Sequence, residues 1–163
     1  MNTSIWTIVL ANALLAPGWH ESYSRAQQEA AEQKKPLAVV FGTGANGWTK
    51  VVRTEGPSAD VTKLLSESYV RLYVDTASPE GQRVARNFGI SGSVGLVISD
   101  RDGSVQAFWH QGDLTNSSLE RYLQKYADPN VVVRGTETVP SVRTSYYPSA
   151  AQSPVPSVSS RSC

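Results

Sequence analysis

Between Pro36 and Gly42 lie five consecutive apolar residues, Leu37-Ala38-Val39-Val40-Phe41. A strand with one face in water alternates apolar and polar side chains, so an unbroken run between two breakers belongs to a strand covered on both faces. With helical patterns before and after it, the run predicts a central strand in a sheet with helices on either side. Helical patterns flank the run. Before it, Ser22 is placed to cap a helix over 22–34 in which Tyr23, Ala26 and Ala30 share a face, ended by Lys34-Lys35-Pro36. After it, a glycine-rich loop at 42–47 leads into a helical stretch that Gly56-Pro57 must break, and the helix resumes at Ser58 with Val61, Leu64 and Leu65 on its buried side.

The remaining elements follow the same alternation. Residues 69–74 read as a strand and 80–87 as a short helix after Pro79. Leu96-Val97-Ile98 and residues 105–109 flank Asp100-Arg101-Asp102-Gly103, a hairpin signal because Asp-Gly supplies the positive φ of a tight turn. A last helix is expected with Ser117 and Glu120 as its capping box and Leu119, Tyr122, Leu123 and Tyr126 on one face, stopped by Asp128-Pro129.

Composition bounds the rest. At 163 residues and 40% hydrophobic content the chain supports one compact core and not two. Lys+Arg 15 against Asp+Glu 14 leaves no field to hold nucleic acid or an anionic membrane. Residues 136–162 are rich in Ser, Thr and Pro and cannot bury enough apolar surface to offset the entropy of ordering them. The folded unit is therefore expected at 19–128, with 129–163 a disordered tail in which only Val131 to Val133 pair, as an edge strand. Residues 1–18 hold an apolar stretch with small-residue cleavage candidates but no preceding Lys or Arg, too short and too polar for a membrane span. They read as a signal or N-terminal apolar segment, and the balance favours export to the periplasm or exterior over a cytoplasmic location.

The single cysteine, Cys163, excludes an internal disulfide, a Cys-x-x-Cys pair and a cysteine-built metal site within the sequence. His20 and His110 have no ligand-spaced partner, so neither a metal nor a cofactor is implied.

Over about 110 residues the order of elements resembles the thioredoxin-like superfamily, and the local words are similar to a bacterial thioredoxin-like family. These words are Trp19, Tyr23, Ala26, Ala30, Lys35-Pro36 and the apolar run; Val61 to Leu65 leading to residues 69–75; then Phe88-Gly89-Ile90, the turn at 100–103, and Gly112 before the last helix. The resemblance implies an α/β three-layer sandwich with a mixed central sheet. It also implies where chemistry would lie. Active members carry Cys-x-x-Cys after the central strand, where a helix N-terminus stabilises the thiolate and the second thiol resolves the mixed disulfide. Here Asn46-Gly47-Trp48-Thr49, followed by Lys50, stands at those positions. A cis-proline faces the motif in the family; Ser93-Val94-Gly95 occupies that stretch, and a non-proline cis bond costs about 2.5–4 kcal/mol, so a trans peptide is expected.

Gly42-Thr43-Gly44-Ala45-Asn46-Gly47 also has the form of a dinucleotide-binding G-x-G-x-x-G. Asp75 lies beyond the spacing that fingerprint expects for its acid, and Gly56-Pro57 breaks the helix that should pack on the loop. A loop standing in for a redox motif is the simpler account. Asp100 and Asp102 are accounted for by turn chemistry. Thr49 reads as an N-cap, with support of glutathione as its functional alternative, and Trp48 as a cover for the neighbouring helix, with a peptide anchor as the alternative.

Three functions remain. The first is a redox-inactive module that binds a peptide or protein in a groove formed by residues 44–50, Ser93, Val94 and Gly112. The second is a thiol-disulfide or glutathione-linked oxidoreductase using Thr49 and Cys163. The third is a spacer whose Ser/Pro tail and Cys163 attach it to a surface or, through an intermolecular disulfide, to a second copy as a dimer.

Overall fold

The computed structural model describes residues 18–53 and 55–139. Its elements are β1 (Trp19–His20), α1 (Tyr23–Gln33), β2 (Leu37–Gly42), a 3₁₀ turn (Gly47–Val51), α2 (Ala59–Ser68), β3 (Val70–Asp75), α3 (Pro79–Asn87), β4 (Gly95–Ser99), β5 (Gln106–Gln111), α4 (Asn116–Ala127) and β6 (Glu137–Thr138). They build a mixed sheet in the order β1-β3-β2-β4-β5-β6. β2 is parallel to β3, with Val39 opposite Leu72, and antiparallel to β4, with Val39 opposite Val97.

All residues of β2 are buried, as the apolar run requires. Successive side chains point to opposite faces. Leu37, Val39 and Phe41 join Leu72, Val74 and Val97 under Ala26 and Ala30 of α1 and Ala85 of α3. Ala38 and Val40 join Leu96, Ile98 and Phe108 under Val61 and Leu65 of α2 and Leu119 and Leu123 of α4. The helix pairs thus form the two outer layers of an α/β sandwich. Full burial of each of the Val, Leu, Ile and Phe side chains among these is worth about 1.5–3 kcal/mol, and β2 contributes to both clusters.

Arg101, in the turn between β4 and β5, links the layers. Its guanidinium donates to the carbonyl of Lys34 at the end of α1 (3.1 Å) and to that of Ala127 at the end of α4. Cationic donors are favourable at helix C-termini, where carbonyls lack intrahelical partners. In the same turn Asp100 Oδ1 accepts from the amides of Ser104 and Val105, which is the turn chemistry expected of it.

Three local expectations are corrected. The cap of α4 is Thr115, whose hydroxyl accepts from Ser118 N; Ser117 and Glu120 form no capping box, because the helix already starts at Asn116. The last strand pairing is at Glu137–Thr138, parallel to β5, and not at residues 131–133. Val131, Val133 and Val139 pack against the core on the α2–α4 side, so ordered contacts extend beyond residue 128. Finally, the helical stretch after the loop is a single 3₁₀ turn, and Ser58 caps a separate α2. No helix among the described residues is long and apolar enough to cross a membrane. The N-terminal segment expected at 1–18 lies outside the described residues except for Gly18, as do residues 140–163 with Cys163.

Candidate functional site

At the C-terminal end of β2 the chain makes a tight return. A Cβ on Gly42 or on Gly47 would strike the backbone of the other, and one on Gly47 would also meet the Tyr73 hydroxyl. Gly44 takes φ +81°, a left-handed conformation. All three glycines of the G-x-G-x-x-G string therefore have backbone reasons to be glycine. The loop's polar groups are also engaged: Gly44 N donates to Asp75 Oδ1 (3.0 Å), Gly44 O accepts from Tyr73 OH (2.5 Å), and Gly47 N donates to Gly44 O (2.9 Å). Burial and the nearby Asp75 charge push the Tyr73 hydroxyl up to about 12. The loop is built to close on itself and on β3. That is unlike a phosphate cradle, whose amides point outward to a helix start.

The turn Gly47–Val51 positions the residues that follow. Thr49 Oγ1 donates to Asn46 O (2.9 Å), so Thr49 is not the N-cap expected of it; the turn begins at Gly47, where the close approach to Gly42 bends the chain. Trp48 is half-buried, its ring 5.3 Å from that of Trp19, which in turn meets Tyr73 edge-on at 6.5 Å. Trp48 thus packs against the core through Trp19 of β1, and not over the neighbouring helix that the sequence suggested. Asn46 is exposed and Gly47 buried.

Thr49, Lys50, Ser93, Val94 and Gly112 are brought together around a groove of 630 Å³. Asn46, Gly47 and Trp48 do not line it. The Ser93–Val94 peptide is trans. Its position is held from two sides: Ser93 O accepts from Thr76 Oγ1 (3.2 Å) and Val94 O from Gly112 N (2.9 Å).

Other groove residues escaped the sequence reading. Val52, Arg53, Gln111 and Asp113 also line it. Val52 forms an isolated parallel bridge with Leu114; Arg53 N donates to Leu114 O (2.8 Å) and Leu114 N to Val51 O (2.7 Å). This short ladder ties the exit of the 3₁₀ turn to the approach to α4, and Arg53 Nε reaches Asp113 Oδ2 at 2.7 Å. The hydrogen bond from Arg53 holds the Asp113 carboxyl below its usual range. Gln111 Oε1 accepts from both the amide and the hydroxyl of Ser91 (3.1 Å each), fixing the loop before β4. Contacts between residues some sixty positions apart leave no mark on local sequence patterning; only the pairing of strand and loop creates them.

The histidines stay apart. His20 Nε2 lies 2.9 Å from Glu29 Oε2. His110 is buried with Nε2 3.3 Å from Asp113 O, and burial lowers its pKa. Among the described residues no group of three or more His, Cys, Asp or Glu is gathered that could hold a metal ion.

The arrangement is similar to that of a solved thioredoxin from Thermus thermophilus, with a TM-score of 0.54 and 20% identity over 65% of this chain and 83% of that one. This chain has the thioredoxin-like fold. The C-terminal domain of Neisseria meningitidis DsbD also matches, in its oxidised form at TM-score 0.46 and 16% identity over 63% of this chain and 90% of the domain. Its reduced form matches at TM-score 0.45 and 16% identity over 63% and 92%. No protein-family model matches the chain, and no curated protein does. Within the thioredoxin-like fold, the groove lies beside the loop after the central strand, between that loop, residues 92–94 and residues 111–113.

Proposed function

We propose that this chain is a thioredoxin-fold module that binds a peptide or protein segment in its groove and performs no thiol–disulfide exchange there. One observation carries the reading: a 630 Å³ groove framed by Thr49, Lys50, Ser93 and Val94 stands beside a loop, residues 46–49, that contains no sulfur. Exchange needs an attacking thiolate and a leaving sulfur at the site. A concave surface needs neither to bind. It offers an apolar side chain in Val94, hydroxyls in Thr49 and Ser93, and an exposed ammonium in Lys50, the mixture that suits an extended peptide with small or acidic side chains. The Thr49 hydroxyl already donates its proton to Asn46 O, which weighs against its supporting a bound thiol.

The test is crosslinking of the full chain through a photoreactive residue placed at Lys50, in extracts from its source. Capture of defined partners that is lost in Val94→Arg, with the fold intact by circular dichroism, is the expected result; capture indifferent to Val94→Arg overturns the groove as the binding site. In parallel, insulin reduction and glutathione exchange should show no turnover, and no difference on Cys163→Ser. Turnover that depends on Thr49 or Cys163 would establish the oxidoreductase reading instead. A dimer on non-reducing gels that Cys163→Ser abolishes would favour the tethering role.

A further inference from the structure

The sheet has an opening at the C-terminal end of β3. Val70 N donates to Pro36 O (3.1 Å) and Thr76 N to Gly42 O (2.7 Å), so the even-numbered residues of the strand turn their backbone groups toward β2. The odd-numbered ones face away, because the direction alternates along a strand. On that side β1 supplies only Trp19 and His20, opposite Arg71 and Leu72, and the chain then leaves the sheet because Ser22 is already the cap of α1. Among the described residues no strand stands beside the rest of β3 on this edge. The Asp75 carbonyl is occupied, accepting from Ser78 N (3.1 Å) and Ser78 Oγ (2.9 Å). What stays open is the Tyr73 carbonyl and the Asp75 amide. An acceptor and a donor at that spacing are what one residue of an added parallel strand bonds.

The edge lies in a cavity of 810 Å³ between the starts of α1 and α3, a size that suits a bound ligand. Tyr73 and Val74 both line it although they belong to the cores on opposite faces of the sheet, so the cavity wraps around the edge of the strand. Its charge has one sign. Glu21, Asp75 and Glu80 line it, and none of the described lining residues is Lys, Arg or His. Asp75 Oδ1 accepts from Gly44 N and Ala77 N, while Glu21 and Glu80 are exposed. The cation beside Glu80 is Arg83, at 3.9 Å and with both side chains largely in water, a pairing too weak to neutralise the site. Half-buried Tyr23 and Val84 add apolar surface. We propose that this edge accepts, as a further parallel strand, an extended segment of a partner protein that carries Lys or Arg at alternate positions. Main-chain hydrogen bonds to Tyr73 and Asp75 hold the segment, its cations meet the carboxylates, and the side chains between them meet Tyr23 and Val84. The cavity shares no lining residue with the groove, so the proposal stands apart from the peptide-binding reading above.

Amide NMR of the full chain, titrated with the capped peptide acetyl-Val-Lys-Val-Lys-Val-amide, tests this. The expected result is saturable shifts at Tyr73, Asp75 and Val84 with Val94 and Gly112 unmoved. The same peptide with Glu in place of Lys should bind about tenfold more weakly, the loss of two exposed charge pairs. Glu21→Gln combined with Glu80→Gln, both exposed, should weaken the Lys peptide about threefold. A fully N-methylated Lys peptide keeps every side chain but has no amide to donate, and it should not bind. Absence of shifts at Tyr73, Asp75 and Val84 at millimolar peptide overturns the proposal. So does equal binding of the Glu peptide, or binding that survives N-methylation, which would mean a surface charge contact without strand addition. Shifts confined to Val94 and Gly112 would place the peptide in the groove, overturning this site and supporting the other reading.

Discussion

Arg53 Nε donates to Asp113 Oδ2 at 2.7 Å, joining two segments that both line the groove. Both side chains are substantially exposed, 66% and 38%, so the pair sets the shape of the groove more than it adds stability. Asp113→Asn should leave Tm within about 2 °C and shift the amide resonances of Gly112 and Leu114. The Asp113 pKa is depressed by Arg53, so the ion pair is complete above the ordinary aspartate value of 3.8 and is lost as pH falls through the lower folded value. An NMR titration of the Arg53 side chain checks the sign: its resonances should move below that value and stay constant through neutrality.

The close approach of Gly42 and Gly47 predicts a difference between glycines. Gly47→Ala forces a methyl against the Tyr73 hydroxyl and the Gly42 backbone and should destabilise by about 2–3 kcal/mol. Gly44→Ala meets nothing within 4 Å and carries only the strain of φ +81°, about 1 kcal/mol. Urea denaturation of the two variants should rank them in that order; equal losses would mean that the loop does not pack on β2 as described.

Arg101 spans the ends of α1 and α4. Arg101→Met should cost about 2 kcal/mol, because terminal carbonyls of both helices lose a charged donor. Arg101→Lys should recover little of it, since one ammonium does not reproduce the fork that reaches two carbonyls. Thermal unfolding provides the comparison, and exchange of amides in the last turns of both helices would show whether both ends loosen.

Docking of β6 should depend on pH. Hydrogen bonds from Lys125 and Tyr126 hold the Glu137 carboxyl below its usual range. A depressed acid contributes stability that is present above its unfolded value, near 4.5, and lost as pH falls through the folded one. Hydrogen exchange at Thr138 should therefore rise, relative to the core, below about pH 4. Glu137→Gln should give the faster exchange already at neutral pH.

Much of the fold was legible in the chain. The unbroken run at 37–41 called for a strand with helices on both faces, and β2 is such a strand. Asp100 and Gly103 marked the turn that joins β4 and β5, where Gly103 takes φ +70°. The i, i+3, i+4, i+7 face of α4 is the buried one. Local choices were less legible. Thr115, Ser117 and Ser118 are all competent near a helix start, and the cap went to the residue that the Leu114 bridge places at the entrance. The last strand fell at Glu137–Thr138, where Lys125 and Tyr126 of α4 supply partners for Glu137, while the more apolar residues 131 and 133 went to the core.

The candidate site divides in the same way. That residues 46–49 lack sulfur, that the glycines cluster after the central strand and that Lys50 follows them are properties of the sequence alone. Periodicity and turn chemistry act between near neighbours, and they determined the layers. The sequence did not reveal that Thr49 bonds backward to Asn46, that Trp48 lies on Trp19, or that Arg53 and Asp113 face each other from sixty positions apart. Those relationships were decided by tertiary structure, because they arise only when the sheet brings the ends of β2, β4 and β5 side by side and makes distant side chains compete for one surface.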